Sequence, residues 1–498
     1  MAVPESGSPR YRLGPRSTRG LVAGWRTGQI ACVAIGLVLA VGFLRAVSGA
    51  AGGLLALAAA GGGVAVATWP IGGRTAEQWA PTLANFALRS CVEGSHQPWQ
   101  VPGRRRRGPI SRLSLLELPE PGLTPPAWRE SLETLATRAL AGRRPGLPAV
   151  SSTVPWASSG IGVLSDAECG TWTALLPVGG TGFALLSEAE RGERIAAWAG
   201  VLAAMARDTS GLHRLQWLSA AYPKWLDGAM PGGGRGRPGE GYARLLGEAA
   251  PDLWAHEIHI ALTVRRHRRG GGGPEQDARA MREQLGALED RLRGAGLAPG
   301  VALSPLELAG VLRRSFEVAP SDPPAAAPWP WPLGTEDQWS RLRTDASWQA
   351  TYWVAEWPRC EVGGGFLLPM LLESGLRRVV SVTMAPLPVL AAVRRAERDR
   401  TEGTADAELR HRHGFAVTAR AVREQESRQQ REAELAEGHA GYRYSGYVRV
   451  TEADQESLER ACGRLERSAA LAQLELRRLY GAQEEGYCCT LPAGRGCG

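Results

Sequence analysis

Between residues 30 and 71 the chain carries one charge, Arg45, and everything else is apolar or small. The stretch divides at Ser48 and Gly49 into runs 30–47 and 50–69, each close to the roughly 20 residues a helix needs to cross about 30 Å of hydrocarbon. The pattern predicts a helical hairpin. Its second run is rich in Ala and Gly, a composition that favours close helix packing. Further on the periodicity changes. "GIGVLSDAECGTWTALLPVGGTGFALLS" reads as short β-prone runs separated by glycine turns, and Ser187 with Glu190 forms a capping box that opens a helix. Ile195, Trp198, Ala199, Leu202 and Ala206 then fall at helical spacing. "LHRLQWL" and the alternating "HEIHIALTVRR" read as strands, and residues 275–294 as a charged helix. Ser304 caps another helix with Pro305 in its first turn and Leu308, Val311, Leu312 and Phe316 along one face.

The second half repeats this alternation. "TYWVAEWP" and "RRVVSVTMAPL" read as strands, with a short apolar helix near "GFLLPMLLES" between them. Residues 391–437 are charged with little apolar face and predict an exposed helical arm. In "YRYSGYVRVT", Tyr442, Tyr444, Gly446, Val448 and Val450 share one side. A helix on Leu458, Ala461, Cys462, Leu465 and Ala469 follows, then a final strand from Leu474. The fold class is α+β: a transmembrane helical hairpin followed by two cytosolic strand-helix-strand blocks. The expected divisions are a basic N-terminus (1–28), the hairpin (29–71), a juxtamembrane region and Pro/Arg-rich linker (72–155), a first α+β domain (156–318), a Pro-rich linker (319–345) and a second α+β domain with the charged arm (346–498). Residues 92–155 read as an irregular tether.

Charge supplies the orientation. Arg19 and Arg26 precede the hairpin and Arg74 follows it, which by the positive-inside rule puts both termini in the cytoplasm of a multi-pass protein of the inner or plasma membrane. Trp25 and Trp69 stand where an aromatic belt would lie, and Arg45 is close enough to the end of its span to snorkel. A cleaved signal peptide is the competing reading of the first run, weakened by the second run that follows at once. Arg104, Arg105, Arg106 and Arg107 form a polybasic run suited to anionic lipid headgroups or nucleic acid, or to no partner as a solvated linker. The formal net charge is +8, and its basic side is almost wholly arginine, with Lys224 the single lysine.

That lysine excludes one class of chemistry. A Walker-type loop needs a lysine before Ser or Thr, and Lys224 sits in "YPKWL", so the chain is not a P-loop motor. His256 and His259 in "HEIH" point to opposite faces of a strand, which is poor geometry for one zinc. Eight scattered cysteines with no C-x-x-C pair fit reduced thiols better than a disulfide frame or a zinc site, and Cys488 with Cys489 fits terminal core better than a lipidated tail. No catalytic, cofactor-binding or metal-binding residue is assigned, and no cofactor is expected.

Beyond these patterns, "GGRTAEQWAPTLANFALR", "GFALLSEAERGERIAAWAGVLAAMARDTSGLHRLQWL", "TYWVAEWPRCEV", "REAELAEGHAGYRYSGYVRV" and "LELRRLYGAQEEGYCCTLPAGRG" resemble a family of actinobacterial integral membrane proteins of type IV-like, conjugative secretion clusters. The membrane pair is similar to the small PrgI-type subunit of such systems. The remainder resembles the N-terminal domain of the conjugation ATPase, with "LPAGRG" at the juncture where the motor domain would follow. The resemblance implies a non-catalytic inner-membrane scaffold that docks a separate P-loop ATPase and contacts membrane lipids and other channel subunits, and it admits homo-oligomers. Direct nucleic-acid contact is open but unsupported. A second reading is the membrane component of a type VII secretion machine, which also pairs two N-terminal spans with a cytosolic α+β domain. An unrelated membrane scaffold, a DNA-binding protein or a membrane enzyme would fit the residues less well.

Overall fold

The structure is a computed structural model that describes residues 27–47, 49–68, 75–92, 96–98, 108–118, 160–180, 182–207, 211–223, 254–266, 273–318, 330–412, parts of 422–434, and 440–497. Arg19, Trp25, Arg26, Trp69, Arg74, Arg104, Arg105, Arg106 and Arg107 lie outside the described residues, as does Lys224. Two compact units emerge. One comprises the described residues between 27 and 92 together with 480–482, and the other comprises the remainder.

The first unit is helical: α1 (Thr27–Ala46), α2 (Ala50–Thr68) and α3 (Ala76–Val92). α1 and α2 are long and apolar enough to cross a membrane. Their surface is inverted relative to a water-soluble hairpin. Ile35, Val38, Leu39, Leu54 and Leu57 are exposed, whereas the buried positions are the small residues Gly36, Ala40, Gly52, Ala56 and Ala67. In hydrocarbon the apolar side chains lose nothing by facing lipid, so backbone proximity at small residues decides the packing. A Cβ on Gly36 would sit 2.9 Å from both the Ala59 carbonyl oxygen and the Gly63 Cα. Gln29 Nε2 donates to the Ala67 carbonyl at 2.8 Å, and Arg45 closes the last turn of α1. Replacing Gly36 by Leu should therefore weaken the helix pair by roughly 1–3 kcal/mol through overpacking. Gly42, with nothing within 4 Å, is the control. Unfolding of both leucine variants with increasing SDS in mixed micelles would show the difference. Equal midpoints would mean that the helices do not meet at Gly36.

The second unit is built on one sheet. Its elements in chain order are β1 (His96–Pro98), β2 (Leu113–Glu117), β3 (Gly162–Asp166), β4 (Thr171–Gly179), α4 (Glu188–Arg207), β5 (Leu212–Pro223), β6 (Trp254–Arg265), α5 (Pro274–Gly294), β7 (Ala298–Pro299), α6 (Pro305–Phe316), β8 (Gly334–Asp337), β9 (Leu342–Thr344), β10 (Ser347–Glu356), α7 (Leu368–Leu371), β11 (Arg378–Pro386), α8 (Val389–Arg412), β12 (Tyr442–Glu452), α9 (Gln455–Leu471), β13 (Glu475–Arg478) and α10 (Gln483–Cys488). The strand order is β1-β8-β9-β10-β12-β11-β5-β6-β4-β3-β2, with β13 on β10 and β7 on β4, and every pairing is antiparallel. The α+β class holds. The strands of 156–318 and 346–498 form a continuous ladder, because β5 pairs with β11 from Leu215↔Met384 to Ala221↔Arg378. The expected irregular tether also contributes a strand: Leu113 and Leu115 of β2 are buried against β3. An apolar pentapeptide "LSLLE" too short to show convincing alternation found its place by pairing.

One face of the sheet carries two apolar clusters. Trp172, Leu176, Ile260, Leu262 and Val264 pack with Val201 and Met205 of α4 and Met281, Leu285, Leu288 and Leu292 of α5. Tyr352, Val354, Val380, Val448 and Val450 pack with α9 through Leu458, Ala461, Cys462, Leu465 and Ala469, the face its sequence spacing predicts. α4 differs from its expected register. Val201 and Met205 are its buried residues and Ala199 is exposed, because the helix lies against α5 as well as the sheet and its contact line follows both. The Ser187–Glu190 capping box is formed.

The opposite face is covered by α6 and the C-terminal segment. Leu308, Leu312 and Phe316 of α6 meet Leu115, Leu164, Leu175, Tyr487, Cys488 and Leu491 in a third cluster. Cys488 is core, as expected, although within a helix. Ser304 and Glu307 cap α6 reciprocally, Glu307 N–H donating to Ser304 Oγ at 3.4 Å and Ser304 N–H to Glu307 Oε2 at 2.8 Å. Substituting Ser304 by Ala should cost about 1 kcal/mol. A urea midpoint indistinguishable from that of the parent chain would show that burial of α6 leaves the cap redundant.

Candidate functional site

Directly opposed residues of an antiparallel ladder project to the same face. On the face beneath the C-terminal segment the rows are unusually polar. One runs Thr351, Arg449, Val379, Ala220, Glu257, and another runs Ser445, Thr383, Gln216, Ala261. Gln216, Thr263, Thr383 and Ser381 are fully buried. Alternation alone would assign such positions to solvent.

Residues 489–497 explain most of that polarity. This segment has no ladder of its own, so its backbone groups need side-chain partners. Gln216 Nε2 donates to the Cys489 and Leu491 carbonyls at 3.1 and 2.9 Å, and its Oε1 accepts from Gly494 N–H at 2.9 Å. Ser381 donates to the Cys489 carbonyl, Thr383 to that of Arg495, and Ser445 to that of Gly496. Arg214 reaches the carbonyls of Gly494 and Cys497 at 2.8 and 3.1 Å. Gly494 has φ +62°, and a Cβ there would lie 2.2 Å from Thr263 Oγ1, so only glycine fits the approach.

The segment ends on an ion pair. Arg495 Nε and Nη2 donate to Asp166 Oδ2 and Oδ1 at 2.6 and 2.9 Å. Asp166 is 1% exposed and also accepts the Glu168 and Cys169 N–H groups of the turn that follows β3. Burial acts to raise its pKa, but Arg495 and the turn amides outweigh it and hold the carboxyl below its ordinary value. The sequence motif "LPAGRG" thus works here as a strap across the sheet.

A cleft of about 50 Å³ lies beside the strap, between α6 and the sheet. Its mouth holds Tyr222, Glu257 and Arg314: Tyr222 O–H and Arg314 Nη2 both donate to the Glu257 carboxylate, and the Arg314 guanidinium lies over the Tyr222 ring. Arg377, in the wall, donates to the carbonyls of Arg314, Glu317 and Val318 at the C-terminus of α6. Burial lowers its pKa to about 10, which leaves it a cation at neutral pH. The floor is Arg449, 2% exposed, stacked 4.4 Å from the centroid of the Tyr487 ring. Its Nε and Nη1 have no hydrogen-bond partner among the described residues. His259, also in the lining, is kept in its neutral form by burial.

Of the residues singled out in the sequence, Arg45 is described and stands exposed at the end of α1. His256 is exposed and His259 buried, on opposite faces of β6. Among the described residues no group of three His, Cys, Asp or Glu is placed to hold a metal. The polar strap residues and the arginine cleft were not singled out beforehand. The available signal was arginine inside apolar strand runs, as in "YVRVT" and "LRRVVSV", where a cation occupies a position that alternation reserves for one face of the sheet.

A search of curated proteins finds no match. Residues 262–354, which run from β6 through α5 and α6 into β10, match a family model described as "Putative type VII ESX secretion system translocon, EccE". This finding corrects the expected assignment. The type IV, conjugative identity and the PrgI-like reading of the membrane pair find no support, and the match favours the alternative, a membrane component of a type VII secretion machine. The misassignment is understandable physically. Two apolar spans followed by a cytosolic α+β part are common to both kinds of machine, so that pattern carries no information about which of them a chain serves.

Proposed function

We propose that the chain is a non-catalytic scaffold of a type VII secretion translocon, anchored in the membrane by α1 and α2. The observation that carries the reading is the match of residues 262–354 to the translocon family, and the apolar hairpin agrees with it. The arginine-rich flanks of the hairpin support cytoplasmic termini. On this reading the sheet unit faces the cytoplasm. It engages other translocon subunits, including a separate P-loop ATPase, since the chain's single lysine lies outside any phosphate loop. The scaffold role draws on how the polar side chains are used. Gln216, Ser381, Thr383 and Ser445 on the covered sheet face are spent on holding the strap, as hydrogen-bond partners in a packed interior.

Tagged full-length protein, purified from detergent-solubilised membranes, should co-elute with further type VII membrane subunits and an ATPase. Deletion of its gene should abolish export of type VII substrates and complementation should restore it. Recovery of the protein alone, under conditions that preserve a known membrane complex, together with normal export in the deletion strain, would overturn the proposal.

A further inference from the structure

The cleft between α6 and the sheet has a charge problem. Its lining includes Arg314, Arg377, Arg378 and Arg449 and one carboxylate, Glu257, although the Arg378 side chain leaves towards the other face of the sheet. Two of these cations are already provided for. Arg377 is spent on the C-terminal carbonyls of α6, and Arg378 turns its donors to the carbonyls of Leu371, Glu373 and Leu376. Arg314 is a third exposed at the mouth and shares Glu257 with Tyr222. Glu452, at the end of β12, lies near enough to Arg377 to offset part of its charge. Arg449 is left. Its partners across the ladder are Thr351 and Val379, neither of which carries a charge. The Tyr487 ring covers one face of its guanidinium, and the neutral Tyr487 hydroxyl, which donates to the Ser315 carbonyl, is the one side-chain oxygen that interacts with it, while Nε and Nη1 have no partner among the described residues.

A buried guanidinium with two unpaired donors is costly, because burial removes the water that would otherwise solvate it. Native interiors leave few such groups, and those that persist call for an ion or a water. On the same measure one water needs roughly 10–15 Å³, so the cleft of about 50 Å³ has room for several waters or one tetrahedral anion. Guanidinium is suited to oxyanions in particular. It presents fixed planar donors and forms short, charge-assisted hydrogen bonds to them. The cleft is graded from Arg314 at a partly exposed mouth to Arg449 at a buried floor, so an entering anion meets a cation first and is desolvated last.

We infer that this cleft is a binding site for a phosphate-class oxyanion, with Arg449 as its principal ligand, Arg314 at its entrance and Thr451 and Thr490 in its wall. The anion is either free phosphate or the phosphate of a lipid headgroup. The inference stands on the sheet unit alone and does not depend on the secretion reading.

The test uses full-length protein in detergent, radiolabelled inorganic phosphate and equilibrium dialysis at fixed ionic strength in chloride. Saturable binding is expected. Arg449→Met should weaken it at least about tenfold, and Arg314→Gln, at the mouth, by a few fold. Without phosphate, Arg449→Met should melt no lower than the parent, since it removes an unpaired buried charge, and phosphate should raise the melting temperature of the parent only. If Arg449→Met fails to fold, the Arg314→Gln value decides. Displacement of the label by phosphatidic acid micelles but not by a soluble phosphate monoester would assign the headgroup, and the reverse result would assign the free anion. Absence of binding by the parent chain, or binding unchanged in every folded variant, would overturn the inference.

Discussion

Replacing Asp166 by Ala should destabilise the sheet unit by about 3–5 kcal/mol, the usual consequence of removing one member of a buried ion pair. The side chain has two duties. It receives both donors of Arg495, whose side chain is 11% exposed, and it accepts two amides of the turn between β3 and β4. Alanine leaves Arg495 with Glu168, 3.0 Å away and 42% exposed, as its remaining carboxylate. Asn should cost less, because it keeps an acceptor for the turn. Urea unfolding followed by tryptophan fluorescence would give the midpoints. A loss below about 1 kcal/mol for Asp166→Ala would place the pair with surface salt bridges and refute its role as the anchor of the strap.

The same pair fixes an acid limb. Asp166 has its folded pKa below the ordinary value of 3.8, so the unfolded chain binds the proton first. Its contribution is complete above the unfolded pKa and is lost as pH falls through the folded one. His213 acts at higher pH. Burial first, then Arg214, Arg265 and Arg443, depress its pKa from 6.5 to about 4, so stability should already decline as pH drops from 6.5 towards 4. A pH series of urea midpoints should therefore show two separate declines. Asp166→Asn should shrink only the lower one, since Glu190, Asp454 and Glu459 are also held below their ordinary values.

The second large effect is expected at Gln216, where Leu would keep the volume and remove every polar atom. The Cys489 and Leu491 carbonyls retain Ser381 and the Ala493 N–H as donors, but the Gly494 N–H loses the partner Gln216 supplies. At ~1–3 kcal/mol for a buried group left unsatisfied, the loss should be about 1–3 kcal/mol. Because these groups belong to the strap, amide exchange should rise first at residues 489–497 and only later in β5 and β11. Uniform exchange across the sheet would mean that the strap and the strands open together, and that the strap is not a separate element.

These two positions show why the sequence misleads on one side of the sheet. In "LHRLQWL" and "RRVVSVTMAPL" the apolar and polar residues alternate, and the polar set reads as solvent-facing. It is buried because a segment that begins 273 residues after Gln216 and 108 after Ser381 lies over it. The motif "LPAGRG" was legible as a motif, but its partner Asp166 is separated from Arg495 by 329 positions, and nothing local in either stretch announces the other. The resemblance to conjugative proteins leaned on that motif, and the family match reads the chain differently.

What the sequence by itself determined is what local physics governs. The apolar hairpin follows from run length and the absence of charge, the caps of α4 and α6 from a Ser and a Glu three residues apart, and the buried face of α9 from 3.6-residue spacing. Only the tertiary structure decided which strands are neighbours. The β5–β11 pairing joins segments on either side of a Pro-rich stretch, and backbone hydrogen bonds between strands are nearly indifferent to sequence. It alone also placed Arg449 in a buried floor with Nε and Nη1 unpartnered among the described residues, since an arginine in a strand has the same sequence whether its guanidinium meets water, a carboxylate or a cleft. Charge compensation is a property of distance, and distance between remote residues is set by the fold.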